Sequence, residues 1–307
     1  MTDTPLHVDQ WVRHDGAMLV GVIDVGSNTV RLVVSENDET VLQRRALIQL
    51  GAGIEETGSI SDAKLVETAD TVAEYVGLAR NQGAERIEVL VTSPGRQAAN
   101  GQDLLERLAA AARVPVRLLS AIEEGRLAFL GAVTKADVPA DEVVAVCDVG
   151  GGSAQITVGT RESGAAWSKS IDIGSMRLTS RILPNDPPGR AAVIAARDEV
   201  YRYLAGVTPP LPHSAFAVGG SARALRTLVG PELGGPELET AIALLTKTPT
   251  WDLIDSHDLN PDRVHTLTAG AIILGSIQQR LGVPLRVVRG GIREGAALEL
   301  RSELAAA

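Results

Sequence analysis

GVIDVGSN, residues 21–28, and VAVCDVGGGS, residues 144–153, decide how this chain folds. Each is a short apolar run that reaches an aspartate, Asp24 or Asp148, and then a glycine-rich turn with a hydroxyl residue. A second β-prone run follows each turn: TVRLVV over 29–34 and AQITV over 154–158. Short apolar runs bounded by turn signals read as buried strands. Each stretch therefore predicts a β-hairpin with an acid at the strand end and a loop of phosphate size, written twice in one chain.

The surrounding pattern also repeats. Strands are predicted at 18–25, 29–35 and 40–48, then a helix N-capped by Ser61 with apolar Leu65, Val66, Ala69, Val72, Ala73 and Val76. A strand at 86–92, a helix at 96–112, a strand at 116–120 and a helix at 122–134 follow. Asp137 to Asp141, with Pro139, reads as a link. From Val143 the order restarts, with strands at 143–149, 153–159 and 165–171 and then helices. Pro184 to Gly189 is a breaker. A strand at 214–218, a helix from Ser221, a long helix over about 261–281, a strand at 285–288 and a final helix at 293–304 complete the chain. Three strands and then alternating helices and strands predict an α/β protein of two similar halves, each a mixed sheet with helices on its faces. The expected division is a tail at 1–17, a first domain at 18–138 completed by the C-terminal helix (293–307), and a second domain at 139–292.

The chain has 307 residues, 45% of them hydrophobic, enough for two cores. Its net charge of −9 argues against a general nucleic-acid or membrane-surface partner, but leaves room for a polyanion in a locally basic cleft. Cys147, the single cysteine, reads as a small buried hydrophobe. No secretory signal or membrane-length apolar run is visible, so a cytoplasmic location is expected. The five histidines show no metal-ligand spacing.

Glycine lets backbone N–H groups approach phosphate oxygens without obstruction by a Cβ. Gly26 and Gly150, Gly151 and Gly152 supply that backbone, and Ser27, Asn28, Thr29 and Ser153 add side-chain donors. Asp24 and Asp148 suit a hydrated divalent cation, with magnesium (or manganese) the expected ion. Taken singly, either loop also reads as a plain hairpin turn. Facing each other, the two make a clamp for a polyphosphate and its metal. No Walker loop and no dinucleotide fingerprint is present, because Gly150 to Gly152 leads into a strand.

Further motifs carry a resemblance. VTSPGR at 91–96 is similar to an ATSxxR pattern, SAIEEGR at 120–126 to SGxEEAR, and Arg293-Glu294-Gly295 to an LREG element. Together with the two loops, the AVGGSARAL turn at 217–225 and GAIIL at 270–274, they resemble the exopolyphosphatase/guanosine pentaphosphatase family of the actin-like superfamily. The resemblance runs from about residue 19 to the C-terminus and matches the short, two-domain form. It implies two actin-like (ribonuclease H-like) domains around a central cleft, and hydrolysis of a terminal phosphoanhydride. Inorganic polyphosphate is the first expected substrate; guanosine pentaphosphate, converted to tetraphosphate, is the second. The low aromatic content, 3%, tilts toward polyphosphate. A non-catalytic alarmone-binding regulator and a kinase of the same superfamily are the other readings.

Carried over, the resemblance makes Glu123 the general base with Glu124 as its alternative, and Arg96 a phosphate ligand. It places the cation on Asp24 and Asp148, and it implies a homodimer. One departure stands out: many members carry an acid two residues after the serine of the second loop, and here that position is Gln155. Arg44, Arg45, Arg177, Arg181, Arg223 and Arg226 are candidates to line a polyanion path.

Overall fold

The structure, a computed structural model, describes residues 18–37 and 39–306; the predicted tail at 1–17, with Trp11, lies outside the described residues. The first half opens with an antiparallel meander: β1 (Leu19–Val25), β2 (Thr29–Glu36) and β3 (Glu39–Leu47). Val20, Val22, Ile23 and Val25 of β1 are all buried. A central strand covered on both faces has no polar side to alternate with, which is why the run reads as continuously apolar. Then come α1 (Leu50–Thr57), α2 (Asp62–Asn81), β4 (Arg86–Val91), α3 (Ser93–Gln97), α4 (Gly101–Ala112), β5 (Val116–Leu118) and α5 (Ala121–Val133). The sheet order is β3-β2-β1-β4-β5, with β4 parallel to β1 and β5 parallel to β4. Ser61 caps α2, its hydroxyl accepting from the Lys64 N–H.

The single helix expected at 96–112 is two helices. The side chain of Asn100 bonds both the N–H and the carbonyl of Ile60, tying the intervening turn to the start of α2. Helix α1 carried no usable signal, since LGAGIEET holds two glycines and little periodicity.

The second half repeats the plan with β6 (Val144–Val149), β7 (Ala154–Thr160), β8 (Gly164–Ile171), α6 (Ser175–Ile182), α7 (Gly189–Tyr203), β9 (Ser214–Val218) and α8 (Gly219–Val229). It continues with β10 (Glu232–Leu233), α9 (Gly235–Lys247), α10 (Thr250–His257), α11 (Pro261–Val264), α12 (Leu267–Leu281), β11 (Leu285–Val287) and α13 (Ile292–Ala306). Its order, read from the far edge, is β8-β7-β6-β9-β11-β10. The first five strands reproduce the first sheet strand for strand and direction for direction. The long helix expected over 261–281 is interrupted at His265 and Thr266, after Asn260 has capped the short α11. Cys147 is fully buried in the core of this half.

The architecture is thus α/β, two mixed sheets flanked by helices. The helices that follow the last parallel strands are exchanged between the sheets. Phe129, Ala132 and Val133 of α5 pack on Val144, Val146, Phe216 and Val218 of the second sheet. Ala296, Ala297 and Leu300 of α13 pack on Val20, Val22, Val33 and Leu90 of the first. The two helices cross at glycines: a Cβ on Gly131 would strike the Gly291 carbonyl, and one on Gly295 would strike that of Leu127. The exchange brings the carboxyl ends of β1 and β6, and with them both loops, to one cleft. No helix among the described residues is long and apolar enough to cross a membrane.

Candidate active site

The two loops have the same local geometry. Gly26 N–H donates to the Thr29 carbonyl at 3.1 Å, and Gly150 N–H to the Ser153 carbonyl at 3.0 Å. The two hairpins differ at the partner of the strand-end acid. Asp24 stands opposite Arg31, whereas Asp148 stands opposite Gln155.

The loops line a shared cavity of about 120 Å³, and the predicted residues Asp24, Gly26, Ser27, Asn28, Thr29, Glu124, Asp148, Gly150, Gly151 and Ser153 all form its wall. A Cβ on Gly151 would lie 3.2 Å from that of Ser27, so the loops nearly touch. The Ser27 hydroxyl is hydrogen-bonded to that of Ser93 at 2.7 Å, fixing the first loop to the start of α3. Gly219, at φ +89°, brings the start of α8 against Asp148, where a Cβ would meet Oδ1 at 2.6 Å.

Three carboxyl groups in the cavity wall act on one another's charge. Glu124 is 5% exposed. Arg96 Nη2 donates to its Oε2 at 2.7 Å, while Arg96 Nη1 holds the Leu119 carbonyl at 2.7 Å. Burial pushes the Glu124 carboxyl up to about 7, with Asp148 and Asp24 adding to the rise and Arg96 opposing it. Asp148 is raised to about 6 by burial and by Asp24, and Asp24 is raised by burial against the pull of Arg293 and Arg31. Among the described residues, Asp24 Oδ1 and Asn28 Oδ1 are buried without a hydrogen-bond partner.

No group of three or more His, Cys, Asp or Glu among the described residues could enclose a metal ion. The donor set is instead two strand-end aspartates, one with an orphaned oxygen. That suits magnesium, which keeps several waters and is commonly bound through one or two carboxylates plus substrate phosphates.

Some predicted residues lie elsewhere. Glu123 does not line the cavity. Its Oε2 accepts from the Ser120 N–H at 2.8 Å and its own N–H donates to Ser120 Oγ at 3.2 Å, a complete capping box for α5. The hydrogen bonds from Ser120 hold its carboxyl below the usual range. Arg96 stands behind Glu124 rather than in the wall. Gly152 is wedged between the loops, where a Cβ would meet Ser27 Oγ, Ser93 Oγ and Gln97, and its carbonyl accepts from Gln97 Nε2 at 3.4 Å. Arg177 and Arg181 do not line the cavity and are engaged by Glu55, at 2.5 and 2.6 Å. Arg44 and Arg45 face a neighbouring groove.

Part of the cavity lining is basic. Arg31, Arg223, Arg263 and Arg293 form it together with Glu294. Arg31 Nε donates to Thr29 Oγ1 at 3.0 Å. Burial and the charges of neighbouring arginines lower the pKa of Arg31, Arg223 and Arg263, the last to about 9. Such crowding of like charge is relieved by an anion. Arg31 had a signal, a charge interrupting the apolar run TVRLVV; Arg263 had none.

Residues 32–303 match the Ppx/GppA phosphatase family. The chain is 27% identical to exopolyphosphatase 1 of Mycobacterium leprae, over 92% of this chain and 89% of that protein. It is 28% identical to exopolyphosphatase 2 of Mycobacterium tuberculosis, over 92% and 98%. It is also similar to the crystal structure of the Aquifex aeolicus Ppx/GppA family member, with a TM-score of 0.79, 25% identity, and coverage of 94% of this chain and 99% of that one.

Proposed function

The chain belongs to the Ppx/GppA phosphatase family, and from that premise we propose that it is an exopolyphosphatase, releasing orthophosphate from the end of an inorganic polyphosphate chain. The observation that carries this reading is Glu124: a buried carboxyl, raised to about 7, on the wall of a cleft framed by two glycine loops. A base is most effective when its pKa lies near the working pH.

In this scheme the amides and hydroxyls of the two loops grip the terminal phosphoryl group, and the basic wall holds the phosphates behind it. Glu124 orients a water and accepts its proton as the water oxygen bonds to the terminal phosphorus. The bond from that phosphorus to the bridging oxygen breaks, leaving orthophosphate and a chain one unit shorter. The proton then passes to a product phosphate. Arg96 acts through Glu124, holding the carboxylate toward the cleft. Asp24 and Asp148 would hold a divalent cation, which when bound neutralises charge on the phosphate oxygens. The two sheets behave as the centres of two domains, and the glycine crossing of α5 and α13 lets them close on substrate.

The test is phosphate release by the purified protein, with magnesium, from polyphosphate and from guanosine pentaphosphate side by side. Release from polyphosphate is expected to be the faster. Faster release from the guanosine compound would replace the substrate, and tight binding of either with no release would replace the enzyme by a regulator.

A further inference from the structure

Gln155 lies on β7, directly opposite Asp148 in the pairing with β6. Side chains of directly paired residues share one face of a sheet, and both of these line the 120 Å³ cavity together with Glu124. Helix α5 meets β7 and β8 through a glycine. A Cβ on Gly125, the residue after Glu124, would lie 2.6 Å from Ser168 Oγ, 2.7 Å from Thr157 Oγ1 and 3.7 Å from the Cβ of Gln155. The start of α5 therefore packs against Gln155.

The amide of Gln155 is held at one end only. Its Nε2 donates to Ser153 Oγ at 3.0 Å and to Ser170 Oγ at 3.3 Å, which uses both of its hydrogens. Among the described residues no donor reaches Oε1. A glutamine that served only as a strut between the loop and β8 would need no more than these two bonds. An amide oxygen in a side chain only 2% exposed nevertheless asks for a donor. Ionised phosphate oxygens accept hydrogen bonds and give none, so in a cleft filled with phosphate the donor left to Oε1 is water. A carboxylate at this place could serve the same water, but it would add a further negative charge beside Asp148 and Glu124. The amide accepts without that charge.

We propose that Gln155 is a second catalytic residue of the hydrolysis, its Oε1 accepting one hydrogen of the attacking water while Glu124 accepts the other. The proposal rests on the hydrolase reading. The water is held by both hydrogens, and a lone pair on its oxygen is left for phosphorus. As that oxygen bonds to phosphorus, the hydrogen on Glu124 leaves as a proton and the one on Gln155 stays with the new orthophosphate. The bridging P–O bond breaks, and its electron pair goes to the shortened chain.

Methanol tests this, because it replaces one hydrogen of water by a methyl group. Its remaining hydrogen suits Glu124, and the methyl offers nothing to Oε1. The purified protein, with magnesium and long-chain polyphosphate, is assayed in water containing methanol, and phosphorus NMR separates orthophosphate from methyl phosphate. The unaltered protein is expected to form methyl phosphate well below methanol's share of the solvent. Gln155→Met, of similar length but without the amide oxygen, should lower kcat by about tenfold to a hundredfold, the worth of a hydrogen bond lost in the transition state. It should also raise the ratio of methyl phosphate to orthophosphate several-fold. Gln155→Asn keeps an amide but draws it back by one methylene; it is expected to shift the ratio in the same direction, and it serves in place of the methionine variant should that one fail to fold. A merely structural role would weaken polyphosphate binding or slow both products alike. An unchanged ratio therefore overturns the role of Gln155 and leaves the hydrolase standing. No phosphate product of either kind from the unaltered protein would overturn the hydrolase, and this role with it.

Discussion

Arg31 and Gln155 occupy the same place in the two halves, each on the second strand of its hairpin, opposite the strand-end aspartate. Their surroundings are also matched, because each lies near the start of an exchanged helix: α13 with Arg293 and Glu294 beside Arg31, and α5 with Gly125 and Glu124 beside Gln155. What the halves put there is opposite in kind. Arg31 adds a positive charge to a wall that already holds three more. Gln155 is neutral and 2% exposed, its Nε2 donating to Ser153 Oγ at 3.0 Å and Ser170 Oγ at 3.3 Å. In the proposed mechanism this difference makes the Arg31 side the binding end of the cleft and the Glu124 side its reacting end.

The largest effect should come from the reacting end. Glu124→Gln keeps the shape and removes the proposed base, so kcat should fall by roughly 10²–10⁴, the usual worth of a general base. Steady-state rates on polyphosphate check this; a fall of less than about tenfold would move the role elsewhere. The pH dependence follows from the same residue. Its carboxyl must be ionised to accept a proton, and burial holds it at about 7. kcat/KM of the unaltered protein should therefore rise as pH climbs through about 7 and then flatten, and this limb should vanish in Glu124→Gln. Stability moves the other way. Because the folded-state value lies above the ordinary 4.5, the contribution of this group is full below 4.5 and is lost as pH rises through about 7.

Next comes the binding end. Arg31→Gln gives the first wall the residue of the second and should raise KM by about tenfold to a hundredfold, the worth of a charge-assisted contact to phosphate. kcat should change far less. An equal fall in kcat and kcat/KM would mean that Arg31 acts on the transition state alone, and the division of the cleft into two ends would fail.

The converse change is smaller. Gln155→Glu places a further carboxyl beside the side already crowded by Asp148 and Glu124. A like charge makes ionisation of a neighbour harder, so the rising limb of the pH profile should move up by about one unit in the presence of low magnesium. A limb that stays in place would separate Gln155 electrically from Glu124.

Most of the fold was legible because its signals are local. Two apolar runs ending in an aspartate and a glycine turn specify buried hairpins, and breakers such as Pro184 to Gly189 mark real element ends. The misses are tertiary. Asn100 reaching back to Ile60 splits a helix whose apolar spacing looks continuous. The exchange of α5 and α13 between sheets depends on Gly131, Gly291 and Gly295 meeting in space, which no window of sequence contains. In the site, the loops announce themselves through glycine and aspartate, whereas Arg263 joins the cleft from a short helix far along the chain. Which of Glu123 and Glu124 lines the cavity also needed the helix to be seen, since adjacent residues on a helix point about 100° apart.

That pair gives the smallest prediction. Glu123 and Glu294 are equivalent, each preceding the residue whose N–H donates to the N-terminal carbonyl of its helix: Glu124 to Ser120 in α5 and Gly295 to Gly291 in α13. At α5 the cap residue is a serine, and its hydroxyl and backbone N–H hold Glu123 in a closed box outside the cleft. At α13 the cap residue is a glycine with no side chain to complete the box, and Glu294 lines the cleft with Oε2 buried and without a hydrogen-bond partner among the described residues. Glu123→Ala should therefore cost only the cap, about 1 kcal/mol, or about 2–4 °C in Tm for a chain of this size. Thermal unfolding and kcat measured on the same preparation decide it. A small drop in Tm with kcat within about twofold keeps Glu123 structural. A loss of kcat approaching that of a general base, with Tm intact, would return the base role to Glu123 and undo the assignment to Glu124.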